Sequence, residues 1–341
     1  MKIAIHHNPD SFSVRWIDYC EKKGIDYKIV NAYDSDIISQ VSDCDAFMWH
    51  FFQFDYRDML FARQLIYSLE TKGILCFPNF HTSWHFDDKV GEKYLLEAVG
   101  APLVPSFVFY SKDSAYDWIS KAAFPKVFKL RGGAGAANVR LAHNQREAKK
   151  LVNRAFGRGF SQFDRLGDFK ERCRKYREGK SSLLSVLKGI GRLLIPTEYA
   201  KMHGAEKGYV YFQDFIPNNS YDIRIIVIGD KAFAIKRMVR KNDFRASGSG
   251  NIRYNRSEMP EECVRLSFDL ARDLLTQSLA IDYVFDNQNN PLIVEISYGF
   301  ATPAYDACPG YWTADMNWHE GIFKPQEWMV DCLLEQFKSK L

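Results

Sequence analysis

The chain has 341 residues, 46% hydrophobic and 26% charged, enough apolar material for a sizeable core spread over two or three structural units. Its 46 basic and 42 acidic residues leave a net charge of +4, too balanced to imply a nucleic-acid partner. Seven separated cysteines, odd in number and without a Cys-x-x-Cys pair, read as reduced thiols and exclude a disulfide framework or zinc site. No stretch approaches the ~18 apolar residues of a membrane span. Met1–His7 lacks the apolar core of a signal peptide, so a cytoplasmic location is expected.

Lys2 to Ile5 predicts a strand that ends in the loop His6-His7-Asn8-Pro9. Ser13 to Lys23 has helical spacing, with Val14, Ile17 and Cys20 on one side and Gly24 as the stop. A strand is expected over Tyr27–Val30, a helical turn over Ile37–Val41 and an apolar run over Ala46–Trp49. Met59–Leu69 reads as a helix and Ile74–Phe77 as a strand. This alternation argues for a small parallel α/β sheet in residues 1–85. The loop after the first strand has no glycine, so no dinucleotide fingerprint is present. His81 and His85 have i, i+4 spacing without an intervening glutamate, and read as a loop and helix entrance with no metal.

Asp87-Asp88 followed by apolar residues at helical spacing and Gly100 predicts a capped helix, then an extended linker at Ala101–Pro105. Phe107–Tyr110 and Pro125–Leu130 read as strands around a short helix at Ser114–Lys121. The second of these strands runs into Arg131-Gly132-Gly133-Ala134-Gly135. Residues 151–192 differ from the rest: eleven basic against four acidic side chains give +7, leaving the remainder of the chain at −3. A solvated helical insertion and a basic flap near an anionic ligand or surface both fit this segment. Strands are expected over Tyr209–Ile216, Asp222–Ile228 and Ala232–Arg237, the last two forming a hairpin through Gly229-Asp230. A loop spans 242–252. An amphipathic helix follows at Glu261–Leu274. Residues 298–321 are aromatic and turn-rich, and Trp328–Phe337 closes the chain as a helix.

The run Leu279–Ser297 reads as two strands joined by a polar turn, and two acids interrupt its apolar pattern, Asp282 and Glu295. Paired across a hairpin, such residues sit about 5 Å apart. Two facing carboxylates repel unless a cation lies between them, and hard oxygens on adjacent strands suit Mg²⁺. Ser297 shares the face of Glu295 and offers a third oxygen. A surface hairpin with solvated acids fits the same pattern. Gly132, Gly133 and Gly135 after a strand could hold phosphate on backbone N–H groups or simply make a tight turn. Lys129, among apolar strand residues, and Lys89, at a helix start, pair with a ligand phosphate or point outward. Asp222, Arg224, Lys236, Arg237 and Arg245 place further charges near the acids, as a site for developing negative charge or as a solvated salt-bridge ladder.

In this order the pieces resemble the ATP-grasp superfamily, in its branch of ribosomal-protein-S6 glutamate ligase-like and glutathione-synthetase-like enzymes. The resemblance covers most of residues 86–300. Asp88-Lys89 is similar to the family's Asp-Lys, and Phe124-Pro125-Lys126-Val127-Phe128-Lys129 to its Phe-Pro-x-Val-x-Lys strand. It implies that Lys89 and Lys129 contact ATP phosphates under a lid carrying Gly132, Gly133 and Gly135. It also implies that Gln213, Asp214, Phe215 and Ile216 border adenine and that Asp222 reaches the ribose. Arg224, Lys236 and Arg245 (in Asn242-Asp243-Phe244-Arg245) would face the reaction, and Asp282, Glu295 and Ser297 would hold Mg²⁺, or Mn²⁺ in its place. Ser297 departs from the asparagine usual there, the lid is poorer in serine, and the basic insertion is longer.

The implied architecture is a parallel-sheet α/β domain over 1–85, a small lobe over 86–212 with an insertion at 151–207, and a metal-bearing lobe over 213–341. The implied activity is ATP- and Mg²⁺-dependent joining of a carboxylate to an amine through an acylphosphate. The alternatives are a phosphotransferase acting on a small molecule or sugar, and a non-catalytic nucleotide-binding module. ATP and a small-molecule, peptide or sugar-acid substrate are the expected partners, nucleic acid is not expected, and homo-oligomerisation is left open.

Overall fold

The computed structural model describes residues 1–340 apart from 134–137, 162–168, 170, 171, 174, 175, 177–181, 195–201, 203 and 241–243. Its first unit alternates strand and helix as the sequence pattern requires: β1 (Lys2–His6), α1 (Ser13–Lys23), β2 (Asp26–Val30), α2 (Ile37–Gln40), β3 (Ala46–Met48), α3 (Tyr56–Thr71) and β4 (Leu75–Phe77). The strands pair in parallel in the order β2-β1-β3-β4. Side-chain alternation splits β1 between two cores. Ile3 and Ile5 pack with Trp16 and Cys20 of α1, while Ala4 joins Phe47, Leu65 and Leu69 on the α3 side. Gly24 ends α1 with φ +64, the left-handed conformation that glycine adopts without strain.

Helices α4 (Phe80–Ser83) and α5 (Lys89–Ala98) lead into the second unit. Asp88 caps α5, its Oδ1 accepting the Gly91 N–H at 3.0 Å. Then come β5 (Ser106–Phe109), α6 (Lys112–Lys121), β6 (Lys126–Lys129), β7 (Arg140–Ala142), α7 (Gln145–Ala155), β8 (Phe160–Ser161), α8 (Leu183–Leu194), β9 (Ala205–Glu206) and β10 (Val210–Asp214). The antiparallel sheet runs β5-β10-β6-β7. Phe128 and Phe212 on one face pack on Ala115, Ile119, Ala148 and Val152 of α6 and α7. Val127, Lys129, Tyr211 and Gln213 are left on the other face.

The third unit holds β11 (Tyr221–Ile228), β12 (Lys231–Met238), β13 (Ile252–Arg253), α9 (Glu261–Asp273), β14 (Ser278–Phe285), β15 (Pro291–Ser297), β16 (Gly310–Thr313), β17 (Trp318–Glu320) and α10 (Pro325–Ser339). Its antiparallel sheet runs β15-β14-β11-β12-β16-β17, with β13 also on β12. Ile223, Ile225 and Val227 face α9, while Ile226, Ile228, Phe233 and Ile235 pack against the first unit and α10. The aromatic stretch 298–321, read from sequence as turns, also contains β16 and β17. Gly310 permits their close approach, because a Cβ there would lie 2.3 Å from the His319 carbonyl oxygen.

His85 is fully buried, and neither ring nitrogen finds a hydrogen-bond partner among the described residues. Burial first, and then the Arg63 cation, push its pKa down to about 4. The native state refuses a proton that the unfolded chain accepts near pH 6.5. Stability is therefore expected to fall as pH drops from about 6.5 to about 4, by roughly 3 kcal/mol from this residue. Denaturant titrations across that range should show a shallower pH slope for His85→Leu than for the wild type. An unchanged slope would contradict the assignment.

Candidate active site in the cleft between the two antiparallel sheets

The site grows from the β14–β15 hairpin. Pairing begins at Phe285↔Pro291, and a bulge between Asp282 and Tyr283 skips Val294, so that Asp282 comes opposite Glu295. The bulge leaves the Val294 carbonyl to other donors. Gln213 Nε2 reaches it at 3.3 Å and Lys129 Nζ at 3.5 Å, both from the uncovered face of the β5-β10-β6-β7 sheet. The linker after α5 is stitched to the same strand, with Val104 N–H donating to the Ile293 carbonyl at 2.9 Å and Ile293 N–H to that of Pro102 at 2.8 Å. The two sheets thereby flank an open cleft, with Val104, Val127, Val294 and Phe215 among its apolar walls.

One face of the larger sheet concentrates charge. Arg224 grips Asp282 through Nε at 2.5 Å and Nη2 at 2.7 Å. Arg237 grips Asp222 at 2.6 and 2.7 Å, and its Nη2 lies 2.9 Å from Asp282 Oδ2. Burial alone would raise the Asp282 pKa, yet Arg224 and Arg237 together hold it down at about 2. The salt-bridge ladder considered from sequence is thus present, but buried at the cleft and not on a solvated face. Lys236 is not brought to it. It lies on the opposite face of β12, 2.8 Å from Glu258 and over the Tyr221 ring. Arg237 takes the place beside the acids. The two-residue turn Gly229-Asp230 carries that information, because it sets Asp222 opposite Arg237.

Glu295 is the carboxylate that opens to the cleft, its side chain 28% exposed, with Lys89 Nζ at 3.6 Å. Burial opposes its charge, but Lys89 and Lys129 hold its pKa below the ordinary value. Burial also opposes the charge of Lys89, and there Glu295, Glu92 and Asp87 prevail and raise its pKa. For Lys129 burial prevails, and its pKa is pushed down to about 8. Glu92, a turn beyond Lys89 on α5, is buried in the same cluster and accepts the Ile296 N–H at 3.2 Å. Burial first, with help from Glu295, pushes its pKa up to about 8. Sequence inspection missed Glu92, although its i, i+3 spacing from Lys89 marks the same helix side.

Lys89 Nζ also donates to the Gly133 carbonyl at 2.9 Å, and Gly133 N–H to Asp87 Oδ1 at 2.7 Å. Gly133 takes φ +118, open to glycine alone. Gly132 precedes it, and Gly135 lies outside the described residues. Gln213, Asp214, Phe215, Ile216 and Arg245 all line the cleft, and the Phe215 and Phe244 rings meet edge to face at 5.7 Å. The Asp214 carboxylate is engaged by Lys126. Asn242 and Asp243 lie outside the described residues. Ser297 Oγ is 3.2 Å from both the nitrogen and the carbonyl oxygen of Gly299, turned into its own loop.

As a metal donor set, the site offers two hard carboxylates in register, one of them already shared with two guanidinium groups. Among the described residues no group of three or more His, Cys, Asp or Glu side chains could hold a metal ion. The residues present fit Mg²⁺, which takes one or two carboxylates and completes its shell with phosphate oxygens and water.

A parallel-sheet unit followed by a small and a large antiparallel sheet flanking a cleft is the arrangement of the ATP-grasp fold. Solved structures agree. The biotin carboxylase domain of 2-oxoglutarate carboxylase from Hydrogenobacter thermophilus aligns with a TM-score of 0.60 at 12% identity, over 98% of this chain and 69% of that one. D-alanine–D-alanine ligase from Bacillus anthracis aligns at 0.59 and 13%, over 100% and 99%. A RimK-domain ATP-grasp protein from Sphaerobacter thermophilus aligns at 0.56 and 13%, over 98% and 100%. Residues 188–306 match the family model described as the RimK-like ATP-grasp domain. No curated protein sequence matches it.

Removing Arg237 leaves two buried carboxylates short of a cation. Arg237→Leu is expected to cost about 3–5 kcal/mol, read as a lowered denaturation midpoint, with a clearly smaller shift for Lys236→Ala. Equal shifts would contradict the ladder.

Proposed function

We propose that this chain is an ATP- and Mg²⁺-dependent ligase joining a substrate carboxylate to an amine. The observation that carries the reading is the meeting of Lys89, Lys129 and Glu295 with the Arg224–Asp282 pair at one end of an apolar-walled cleft. The neighbouring ligase fold and the RimK-like domain support the same reaction class.

Each residue has a physical task. The apolar walls and the Phe215–Phe244 pair accept the adenine base, with Gln213 to Ile216 along one side. Lys89 and Lys129 neutralise phosphate, and Lys129, poorly hydrated in its buried position, gains most from an anion nearby. Glu295 and Asp282 would hold the magnesium ion, which supplies charge neutralisation at the phosphates. Arg224 is a fixed, always-charged donor beside the acids, suited to the negative charge that builds on oxygens in transfer. Attack of the substrate carboxylate on the terminal phosphorus gives an acylphosphate and ADP. The amine then displaces phosphate.

Two experiments test this. Glu295→Gln and Asp282→Asn are expected to lower ATP turnover by about a hundredfold or more while leaving the fold intact by circular dichroism. Turnover like that of the wild type in both would remove the metal assignment. An ADP-release screen over amino acids, peptides and sugar acids, read by mass spectrometry, is expected to yield free phosphate and a condensed product. Phosphate retained on the acceptor would show a phosphotransferase instead.

A further inference from the structure

Helix α3 runs along the outside of the first unit, and its buried side is ordinary: Ala62, Leu65, Ile66 and Leu69 pack into the core. Its outward side is not. A surface helix normally presents charge to water. The exposed residues of α7 include Arg146, Lys149 and Lys150, and those of α9 include Glu261, Glu262, Arg265 and Arg272. Helix α3 has charged residues too, but most are turned to local work. Asp58 is buried and accepts the Phe52 N–H at 2.7 Å. Arg63 donates to the Phe86 carbonyl, and Glu70 accepts the Phe80 N–H at 2.9 Å. What α3 exposes is Arg57, Leu60, Gln64, Tyr67, Ser68 and Thr71, with Leu60 59% and Tyr67 58% exposed. Arg57 is neutralised in place by Asp55, whose Oδ2 lies 2.7 Å from its Nη2.

We propose that this face is an interface between two copies of the chain, α3 packing antiparallel on the α3 of its partner about a twofold axis. Two observations select that occupant. Arg57, Leu60, Gln64, Tyr67 and Thr71 succeed one another at alternate intervals of three and four, the seam that packs against a second helix at a crossing angle of about 20°. That seam is also nearly symmetric about Gln64. In an antiparallel pair centred there, each Leu60 lies across from the partner's Tyr67 and each Arg57 from the partner's Thr71, so no like charges meet. The Gln64 amide carries both donors and an acceptor, so it hydrogen-bonds its own copy across the axis. Antiparallel packing sets the two helix dipoles in favourable opposition. An anionic membrane or a nucleic acid would be drawn by cations, and the one cation among the exposed residues of α3 is already paired. One helix against its copy is a small interface, below about 1,200 Å² in total, so the dimer is expected to be reversible on dilution.

The test is sedimentation velocity of the full chain over roughly a hundredfold range of concentration. The wild type is expected to pass from one to two chains per particle as concentration rises. Leu60→Glu with Tyr67→Glu, which lines the seam of both copies with carboxylates, should weaken the dimer about tenfold or more and leave the circular dichroism unchanged. Gln64→Cys should cross-link to its own copy through a short bifunctional maleimide, above the wild-type background, whereas Lys149→Cys on α7 should not. A single chain per particle at every concentration, a dimer untouched by the glutamate pair, or Gln64→Cys that cross-links no more than Lys149→Cys would overturn the proposal. So would a monomeric chain that sediments with phosphatidylcholine vesicles and loses them on the Leu60→Glu, Tyr67→Glu substitution.

Discussion

Two carboxylates set opposite one another on adjacent strands are the constraint around which this molecule is built. Asp282 and Glu295 would repel in a dry cleft, and burying either without a partner is expensive. The chain answers with four cations from four different elements. Arg224 of β11 and Arg237 of β12 take Asp282 from within the sheet, while Lys89 and Lys129 approach Glu295 from α5 and β6. The division is unequal. Asp282 is shared with two guanidinium groups, and Glu295 keeps a looser contact and an opening to the cleft. A site so arranged holds its charges ready for a ligand that brings phosphate oxygens.

A single bulged residue makes that possible. Continued from Phe285↔Pro291 without interruption, the hairpin would put Val294 opposite Asp282 and turn Glu295 to the α9 face. Skipping Val294 returns Glu295 to the cleft and releases a carbonyl that the small sheet uses through Gln213 and Lys129. The same irregularity therefore positions the acid and ties the two sheets together.

Much of this is legible in the sequence because it rests on short-range pattern. Short apolar and alternating runs locate the longer strands but not the short β7, β8, β9, β13, β16 and β17, Asp88 marks the start of α5, and two acids in otherwise apolar strands point to the candidate site. What escapes depends on parity or on distant contacts. Lys236 and Arg237 differ by one position, and only the register set by the turn at Gly229-Asp230 distinguishes the residue at the acids from the one beside Glu258. The Val294 bulge leaves no compositional mark. Glu92 reads as an ordinary helical glutamate until its burial beside Lys89 and Glu295 is seen. Ser297 is a candidate by spacing alone, and its hydroxyl is held by Gly299.

The central claim is that the cleft completes its metal site with the phosphates of a bound nucleotide. Calorimetric titration tests it most directly. ADP with Mg²⁺ is expected to bind the wild-type chain in the cleft, ADP without the ion much more weakly, and Mg²⁺ alone without measurable heat. Glu295→Gln should erase the difference made by the ion. Nucleotide binding that is indifferent to Mg²⁺ in the wild-type protein, or strong Mg²⁺ binding in the absence of nucleotide, would contradict the account.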